Sequence, residues 1–352
     1  MKFIKCEKLK QKPDFNNLHF GENFTDYMLT MDWKDGAWGD VVIEPFHNFE
    51  CSPAMLVFHY GQGIFEGCKA YKNDKGEISL FRTKDNLKRM NKSAERMCMP
   101  QFDVDKVFEG IKELVKIEKD WIPTLPNSSL YIRPTMIATQ AVLGVRVSST
   151  FKFFVILSPV GRYHPAEDGN LPALYVEDKL VRAAVGGTGE AKCLGNYGAS
   201  FYAFEKAKEH GYEDILWLDA CEHKYIEEVG TMNVMFVIDG VVVTPKLNGS
   251  ILHGITRDSV LTVLADSPYK FEERRISIDE VMEAAKSGRM TECFGVGTAA
   301  VISPVGAIAY EGEEAVISNK RIGPVSKYLV DRITGIQTKK YPDKYGWVID
   351  VK

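Results

Sequence analysis

The segment GGTGEAKCLGNYG, residues 186–198, decides the interpretation of this sequence because it places one lysine, Lys192, among glycines and other small residues. Gly187 and Gly189 have the spacing of a dinucleotide-binding fingerprint, but Lys192 occupies the place of its third glycine, so we do not expect that site. Such a lysine suits Schiff-base chemistry, which needs an amine held where an aldehyde can approach closely, with its charge suppressed. From the spacing alone, an ordinary solvated lysine remains the alternative.

Two further glycine-rich turns offer backbone amides to an anion. In GSILHGITRDSVL (249–261), Gly254, Ile255 and Thr256 come immediately before a helical pattern. The free amides of a helix N-terminus, together with a hydroxyl group, form a natural phosphate cradle. The alternative is an ordinary capped helix with Thr256 as its N-cap. In ECFGVGTAAVI (292–302), a turn of Gly and Thr could offer amides of the same kind.

An acidic pair, Glu227 and Glu228, lies in YIEEVGTMN (225–233), just before a predicted hairpin. Side chains alternate along a strand, so Glu228 at the strand end could point inward while Glu227 points outward. The residues alone leave open which of the two faces inward. A recessed lysine, two amide-rich turns and a carboxylate are what a pyridoxal phosphate site requires, since the carboxylate keeps the pyridine nitrogen protonated and the ring an electron sink.

Composition restricts the class of protein. The chain has 352 residues, which is comfortable for two domains, and its 45% apolar and 26% charged residues are typical of a globular protein. The net charge of −4 and the absence of a long basic run in the sequence argue against a nucleic-acid binder. No apolar stretch approaches the roughly 20 residues that span a bilayer, and the N-terminus lacks a signal-peptide core. We therefore expect a cytoplasmic protein without a membrane partner.

The cysteines give no evidence of a metal or redox site. Seven are scattered along the chain, and no CxxC pair occurs in the sequence. Neither a zinc ribbon nor a thioredoxin-like site is supported. We expect no bound metal, and mostly buried, free thiols in a reducing compartment.

Hydrophobic periodicity predicts a mixture of helices and hairpin-type strands. In the first half it predicts helices over 84–99 and 104–119 and strands over 130–138 and 151–160. In the second half it predicts strands over 171–178 and 213–220, a helix over 198–210 ending at Gly211, a hairpin over 233–245 turning at Asp239-Gly240, a capping box at 277–280 and a proline-started helix over 324–335. GRYHPAEDGN has no periodicity and is the predicted linker, so the division is a domain over 1–160, a linker over 161–170 and a domain over 171–352.

Nine stretches in the same order closely resemble the branched-chain aminotransferases, a branch of the fold-type IV pyridoxal phosphate enzymes. They are FHYGQGIFEGCKAY, NLKRMNKSAERM, LYIRPTM, LGVR, SPVGRYHP, KCLGNYGAS, EEVGTMN, SILHGITRDS and ECFGVGTAA. The resemblance implies an α+β, two-domain fold. It implies a smaller N-terminal α/β domain, a larger C-terminal domain with a β-barrel-like sheet, pyridoxal 5'-phosphate at the domain interface, and a homodimer.

The resemblance also assigns roles, position by position. The Schiff-base lysine falls on Lys192, the tyrosine to the cofactor's phenolic oxygen on Tyr197, and the carboxylate to the ring nitrogen on Glu228. The phosphate would be bound by Arg89, Ile255, Thr256 and Thr298. The substrate pocket would draw on Phe20, Tyr60, Phe65, Tyr131, Arg133, Tyr163, Thr231, Thr298, Ala299 and Ala300, with Val145 reaching across from the partner subunit.

The implied activity is reversible amino transfer between leucine, isoleucine or valine and 2-oxoglutarate, with Lys192 as general base and acid. A branched side chain requires an aromatic, water-poor wall, whereas 2-oxoglutarate places a second carboxylate in the same pocket. The resemblance assigns that carboxylate to Arg133 of LYIRP, and a surface or strand-end arginine is the alternative.

Two local departures from the family concern cysteines. Mammalian members carry a CxxC redox pair just after the glycine turn, and those two positions are Ala300 and Ser303 in this chain. We therefore predict no thiol switch. Cys193, next to the lysine, is interpreted as a packing thiol rather than a functional one.

Three rival functions are weighed against this one. A D-amino-acid aminotransferase or an aminodeoxychorismate lyase would share the lysine and the phosphate cradle, but Arg133 and the aromatic wall argue against both. A non-catalytic binding protein that kept the fold is the rival from another class. Every catalytic position holds a competent residue type, which argues against it.

Overall fold

A computed structural model describes residues 1–161 and 168–352 of the chain. The chain forms two compact units. The first comprises Met1–Tyr163, Ala191–Leu194 and Ile336–Lys352, and the second comprises His164–Glu190 and Gly195–Gly335. The chain therefore returns to the first unit twice after leaving it.

Strands and helices are numbered in chain order. The strands are β1 (Lys2–Phe3), β2 (Tyr27–Lys34), β3 (Ala37–Trp38), β4 (Val42–Pro45), β5 (Gly63–Phe65), β6 (Cys68–Lys72), β7 (Ile78–Phe81), β8 (Ser129–Ala138), β9 (Phe151–Val160), β10 (Ala173–Glu177), β11 (Asp214–Leu218), β12 (Ile226–Val229), β13 (Met232–Ile238), β14 (Val241–Pro245), β15 (Lys270–Arg274), β16 (Met290–Gly297), β17 (Val301–Val305), β18 (Ala307–Tyr310), β19 (Glu313–Val316) and β20 (Val348–Val351). The helices are α1 (Leu56–Tyr60), α2 (Thr83–Arg96), α3 (Val104–Ile117), α4 (Leu194–Gly198), α5 (Phe201–Glu209), α6 (Ile255–Ala265), α7 (Ile278–Lys286) and α8 (Pro324–Gln337).

A ten-stranded sheet organises the first unit, in the order β1-β4-β2-β9-β8-β6-β7-β20, with β3 paired to β2 and β5 to β8. Its central pair, β8 and β9, is antiparallel and in register over its whole length, from Ser129 opposite Val160 to Ala138 opposite Phe151. Strand β8 alternates buried and half-buried residues in its second half, as expected of a strand with one face on a core. At the far edge, β20 pairs antiparallel with β7.

Helices α2 and α3 contribute to the core of the first unit. Asp103 caps α3, since its carboxylate accepts hydrogen bonds from the amides of Asp105 and Lys106 at 2.9 and 3.0 Å. Val107, Ile111, Leu114 and Val115 then lie at helical spacing and are fully buried. Leu87, Met90 and Ala94 of α2 join them in the same hydrophobic cluster. The apolar faces that the periodicity predicts are therefore the ones that pack.

A second ten-stranded sheet organises the second unit, in the order β15-β14-β13-β12-β11-β10-β18-β19, with β16 joining β13 to β17. Strand β13 pairs with β12 through Met232 and Asn233 and with β14 through Phe236, Val237 and Ile238. It pairs with β16 as well. The hydrophobic core of the second unit includes Leu216, Phe236 and Val281, which are fully buried.

Most of the predicted elements are confirmed. The hairpin is β13–β14, and Asp239 and Gly240 both have positive φ, 50° and 77°, as a tight two-residue turn requires. Ser277 caps α7 by accepting a hydrogen bond from the Glu280 amide at 3.1 Å. The helix predicted over 198–210 begins later, at Phe201, because a separate short helix, α4, precedes it. The Ser200 amide donates to the Tyr197 carbonyl at 3.1 Å between the two helices.

The division into units differs from the contiguous domains expected at 1–160 and 171–352. Residues 191–194 and 336–352 lie in the first unit, which therefore contains slightly more of the chain than the second, where a smaller N-terminal domain was expected. Strand pairing explains both additions, since Cys193 bridges to Ile64 and β20 pairs with β7. Residues 162–167 of the predicted linker lie outside the described residues, so the linker stays a prediction.

The cysteines differ from the expectation of mostly buried thiols. All are free, but burial divides them: Cys68, Cys193 and Cys293 are buried, Cys6 is half-buried, and Cys51, Cys98 and Cys221 are exposed. The exposed ones lie outside strands and helices, where the backbone faces solvent. In residues 1–161 and 168–352, no helix combines the length and the apolar character needed to cross a membrane.

Candidate active site

Lys192 belongs to the first unit, where hydrogen bonds hold its backbone on two sides. Its N–H donates to the Oγ of Ser93 on α2 at 2.9 Å. Its carbonyl accepts from the Phe65 N–H at 3.0 Å, and the next residue, Cys193, bridges to Ile64 in the antiparallel sense. Residues 191–194 therefore extend alongside β5, which fixes the position from which the lysine side chain starts.

The side chain of Lys192 is half-buried and lies against an aromatic ring. Its Nζ is 4.8 Å from the ring centroid of Phe65, within the range of a cation–π contact. Ala191 and Cys193 on either side are each 3% exposed. An ordinary solvated lysine does not have such surroundings, and the burial of Cys193 agrees with its interpretation as a packing thiol.

Helix α2 presents a buried polar stripe in the first unit. Asn86, Arg89 and Ser93 are spaced i, i+3 and i+7, so they lie on one face of the helix, and all three are buried. Ser93 binds the backbone of Lys192, whereas Asn86 and Arg89 both bind Glu66. The helix that carries the predicted phosphate arginine therefore also positions the predicted Schiff-base lysine.

Arg89 forms a two-pronged ion pair with Glu66. The arginine Nε donates to Oε1 at 2.7 Å and its Nη2 donates to Oε2 at 2.8 Å. Burial works to raise the pKa of Glu66, but the charge and hydrogen bonds of Arg89, with Lys192 and Asn86 adding to them, hold that pKa below its ordinary value. Glu66 is therefore ionised at neutral pH although it is fully buried.

Glu66 was not among the predicted site residues. The available signal was a carboxylate inside the strongly apolar run GIFEGCKAY, because a glutamate at such a position is buried only when it is paired.

Arg133 and three of the aromatic side chains that were predicted to line the substrate pocket come together in the first unit. The Arg133 guanidinium lies 4.8 Å from the Phe65 ring centroid and 5.1 Å from that of Tyr131, and its Nη2 donates to the Tyr131 hydroxyl at 3.1 Å. Phe20 packs edge-on against Tyr131, with centroids 4.9 Å apart. Gly67 permits this arrangement, because a Cβ there would collide with the Tyr131 hydroxyl. Arg133 is half-buried rather than a surface arginine.

Two of the remaining predicted pocket residues are exposed. Tyr60 is 42% exposed, and its hydroxyl donates to the Leu143 carbonyl. Val145, predicted to reach a partner subunit, is 84% exposed. Tyr163 lies outside the described residues. Tyr60 is thus linked to the loop that carries Val145, and an exposed loop is compatible with a partner contact.

Glu228 belongs to the second unit, where it is buried on β12. Its Oε1 accepts from the Leu252 amide at 2.7 Å, and its Oε2 lies 3.4 Å from the Nε of Arg182. Both side chains of this ion pair are less than a tenth exposed. Arg182 also donates to the Ser250 carbonyl, so it ties Glu228 to the 250–252 turn. Arg182 was missed from the sequence, since VRAAVGG gives no sign of its partner.

Glu227 does not point to solvent, which corrects the expected alternation. It is 3% exposed, and its Oε1 accepts from the Ser250 hydroxyl and from the Asn248 Nδ2, the latter at 3.0 Å. The 248–252 turn covers this face of the strand, so both glutamates of the pair are buried. Each therefore has its own set of donors.

The glycine turn at 254–256 opens α6, which begins at Ile255 with Gly254 as its N-cap. Thr256 is therefore inside the helix, and the alternative in which Thr256 is the N-cap is wrong. Gly254 has no side chain to accept from the first-turn amides. The Asn233 amide oxygen would lie only 2.0 Å from a Cβ at Gly254, and the Asn233 Nδ2 donates to the Leu252 carbonyl at 3.0 Å. Asn233 therefore holds this turn in place.

Thr298, Ala299 and Ala300 form the three-residue loop between β16 and β17, whose last pair is Gly297 opposite Val301. Val301 has φ of 65°, a left-handed conformation that is costly for a β-branched residue. Strain of this kind is typical of functional loops. Thr231 lies in the turn between β12 and β13 and is exposed.

Tyr197 is half-buried in α4, the short helix that follows Lys192. The neighbouring Asn196 fixes this segment, because its side chain accepts from the Thr188 hydroxyl at 2.7 Å and donates to the Thr188 carbonyl at 2.8 Å. Within the segment 186–198, the Asn196 side chain thus ties the short helix α4 back to Thr188. The glycines of this segment do not form a dinucleotide-binding turn.

Comparison with known proteins gives a family match. The sequence model described as amino-transferase class IV matches residues 63–308. A probable branched-chain-amino-acid aminotransferase of Staphylococcus epidermidis is 51% identical over 352 residues, which are 100% of this chain and 98% of that protein. Branched-chain-amino-acid aminotransferase 2 of Bacillus subtilis is 50% identical over 344 residues, covering 97% of this chain and 94% of that protein.

The fold has matches among solved structures too. The branched-chain amino acid aminotransferase of Escherichia coli superposes on this chain with a TM-score of 0.76 and 27% sequence identity. The match covers 93% of this chain and 99% of that one.

Proposed function

Because this chain belongs to the amino-transferase class IV family, and within it to the branched-chain-amino-acid aminotransferases, we propose that it transfers amino groups reversibly between L-leucine, L-isoleucine or L-valine and 2-oxoglutarate, with pyridoxal 5'-phosphate bound to Lys192. The observation that carries the role of Lys192 is its backbone, which Ser93 and Phe65 hold from two sides. The single lysine of the glycine-rich segment is therefore fixed in position.

The polar groups of each unit suit the proposed cofactor. Bound pyridoxal phosphate supplies an electron sink for the negative charge that develops on the substrate Cα. The buried guanidinium of Arg89 and the amide-rich start of α6 are donors of the type that phosphate requires. Glu228 is a buried carboxylate with a neighbouring arginine, which suits a partner for a protonated ring nitrogen.

We assign proton transfer to Lys192. Once the substrate amine has displaced it, the Lys192 Nζ would take the proton from the substrate Cα as a general base and would return it, as a general acid, on the far side of the substrate nitrogen. The apolar ring of Phe65 beside Nζ limits the access of water to this amine. Tyr197, Thr256 and Thr298 keep the cofactor-binding roles that the resemblance implies.

Arg133 supports the double specificity. Its guanidinium lies against the Phe65 and Tyr131 rings, so an apolar side chain meets aromatic surface there. Its Nε is buried and, among the described residues, has no hydrogen-bond partner. A buried donor of this kind is available to the second carboxylate of 2-oxoglutarate, which would satisfy it.

Spectroscopy and a coupled assay test the proposal. We expect purified protein to be yellow and to form glutamate from L-leucine and 2-oxoglutarate, and we expect Lys192→Ala to lose both properties. Incubation with D-alanine distinguishes the rival function, because only a D-amino-acid aminotransferase is expected to transfer its amino group. Wild-type protein that binds no pyridoxal phosphate would contradict the central claim, and protein that binds it without turnover would favour a non-catalytic binding protein.

Dimerisation and a cytoplasmic location stay predictions. The exposed loop with Val145 at 84% supports the first, and gel filtration of the wild type against a Val145→Glu variant measures it.

A further inference from the structure

Glu66 is the most completely buried carboxylate near the Lys192 segment. It is 0% exposed and accepts hydrogen bonds from Arg89 twice, at 2.7 and 2.8 Å, from Asn86 at 3.0 Å and from the Gly67 amide at 3.2 Å. An ionised carboxylate has about four lone-pair positions. The four donors therefore satisfy Glu66 and fix its orientation.

This pairing also fixes the orientation of Arg89. A guanidinium is planar and rigid, and the Nε–Nη2 edge of Arg89 is occupied by the two oxygens of Glu66. An anion is therefore excluded from this edge and has to approach Arg89 from another side of the guanidinium. Glu66 thereby determines the direction from which Arg89 approaches an anion.

The pair also changes the electrostatics of phosphate recognition. A buried arginine without a partner would offer a full positive charge, whereas the Arg89–Glu66 pair is close to neutral. Arg89 would then act through aligned donors more than through net charge. Preorganised donors need no reorganisation when the anion arrives, which favours a correctly shaped ligand.

We propose that Glu66 is a positioning residue that holds Arg89 in a single orientation for the phosphate group of pyridoxal phosphate. The proposal rests on the proposed function for the identity of the cofactor. It adds that this chain recognises the phosphate through a carboxylate that never touches it.

Paired affinities for two cofactor forms test this proposal on the full chain. Pyridoxal phosphate and pyridoxal differ only by the phosphate, so the ratio of their dissociation constants reports the phosphate-binding residues. We expect Glu66→Gln to weaken pyridoxal phosphate binding about tenfold or more, because a charge-assisted orientation is lost, and to leave pyridoxal binding within about twofold. In an Arg89→Gln background, Glu66→Gln is then expected to have no further effect on the ratio.

Two controls keep the test independent of folding. The Glu66→Gln, Arg89→Gln double variant removes both charges together, so no buried charge is left unpaired and the chain is expected to fold. Glu292→Gln neutralises another buried carboxylate, which binds the amides of Val325 and Ser326, and is expected to lower stability without changing the ratio.

The outcomes separate the two proposals. Equal weakening of both cofactor forms by Glu66→Gln, tighter binding of pyridoxal phosphate, or an undiminished effect in the Arg89→Gln background would each overturn the role of Glu66. Wild-type protein that binds neither form would instead overturn the proposed function.

Discussion

The Oγ of Ser93 accepts a hydrogen bond from the backbone N–H of Lys192 at 2.9 Å, across 99 positions of the sequence. Ser93 is 1% exposed and lies on the same face of α2 as Arg89. One helix face therefore holds both the predicted phosphate arginine and the start of the lysine side chain. A shift of α2 would therefore displace both groups together.

Replacing Ser93 by alanine tests this link. Removal of the acceptor is expected to lower the free energy of unfolding by about 1–2 kcal/mol and to lower kcat several-fold, because the lysine backbone loses a constraint. Ser79→Ala is the matched control, since Ser79 is also 1% exposed and its hydroxyl donates to the Gln337 carbonyl at 2.7 Å. It is expected to cost similar stability and leave kcat unchanged. Equal kcat losses in both variants would contradict the link.

Replacing Arg182 by methionine leaves Glu228 without its neighbouring cation. We expect the free energy of unfolding to fall by about 3 kcal/mol or more, since a buried charge is left uncompensated, and we expect faster loss of cofactor on dialysis. Adding Glu228→Gln is expected to restore stability but not cofactor retention. Arg274→Met, which breaks a half-exposed pair with Glu280, is expected to cost about 1 kcal/mol or less. Thermal melts and absorbance measure both effects.

Glu118 makes stability depend on pH. Burial raises its pKa from the ordinary 4.5 to about 7, against the hydrogen bond from the Tyr27 amide and with the help of the Asp26 charge. Because the folded state disfavours the ionised form, stability is highest below pH 4.5 with respect to this group and falls until about pH 7, by roughly 3 kcal/mol.

Glu118→Gln is expected to remove most of that dependence and to be more stable than the wild type above pH 7. Glu109→Gln, on the solvent side of the same helix region, serves as the control. Denaturation at pH 5 and at pH 8 measures the free energy of unfolding at each pH. If this free energy differs between pH 5 and pH 8 by as much in Glu118→Gln as in the wild type, the prediction is wrong.

Gly189→Ala tests the close packing of Gly189 against the backbone of Ser250. An alanine Cβ would lie 2.7 Å from the carbonyl carbon of Ser250 and would collide with its oxygen. Both are backbone atoms, so Ser250 would have to move, and Glu227, which its hydroxyl binds, would move with it. We expect this shift to lower the free energy of unfolding by about 1–3 kcal/mol. Gly195→Ala, which meets open space, is expected to change stability by less than about 0.5 kcal/mol. Equal melting temperatures for the two variants would contradict this steric account.

Local patterns predicted the elements of this fold better than its division into units. Strands β8 and β9, the Asp239-Gly240 turn and the Ser277 cap follow from residues a few positions apart, and they are confirmed. The return of residues 191–194 to the first unit depends on the pairing of Cys193 with Ile64, and no local pattern signals that contact. Periodicity describes neighbours along the chain, whereas strand pairing over long separations depends on the whole core.

The same distinction between local patterns and contacts over long separations applies to the site. The sequence and the family resemblance named Lys192, Arg89, Arg133 and Glu228, and the structure shows each of them half-buried or buried among polar or aromatic partners. The partners Glu66, Ser93 and Arg182 were missed, because each acts on a residue that is distant in sequence. The alternation that placed Glu227 outward failed because the 248–252 turn covers that face, which periodicity within one strand cannot indicate.

The pairing of β20 with β7 has a consequence for biosynthesis on the ribosome. Until Val348–Val351 have been translated, β7 carries an open edge of the first sheet, although nearly all other strands of that sheet were made long before. An unpaired edge is a template for association with other chains. The first unit, whose synthesis begins first, therefore keeps this edge open while the second unit is being made, and the nascent chain is exposed to association during that time.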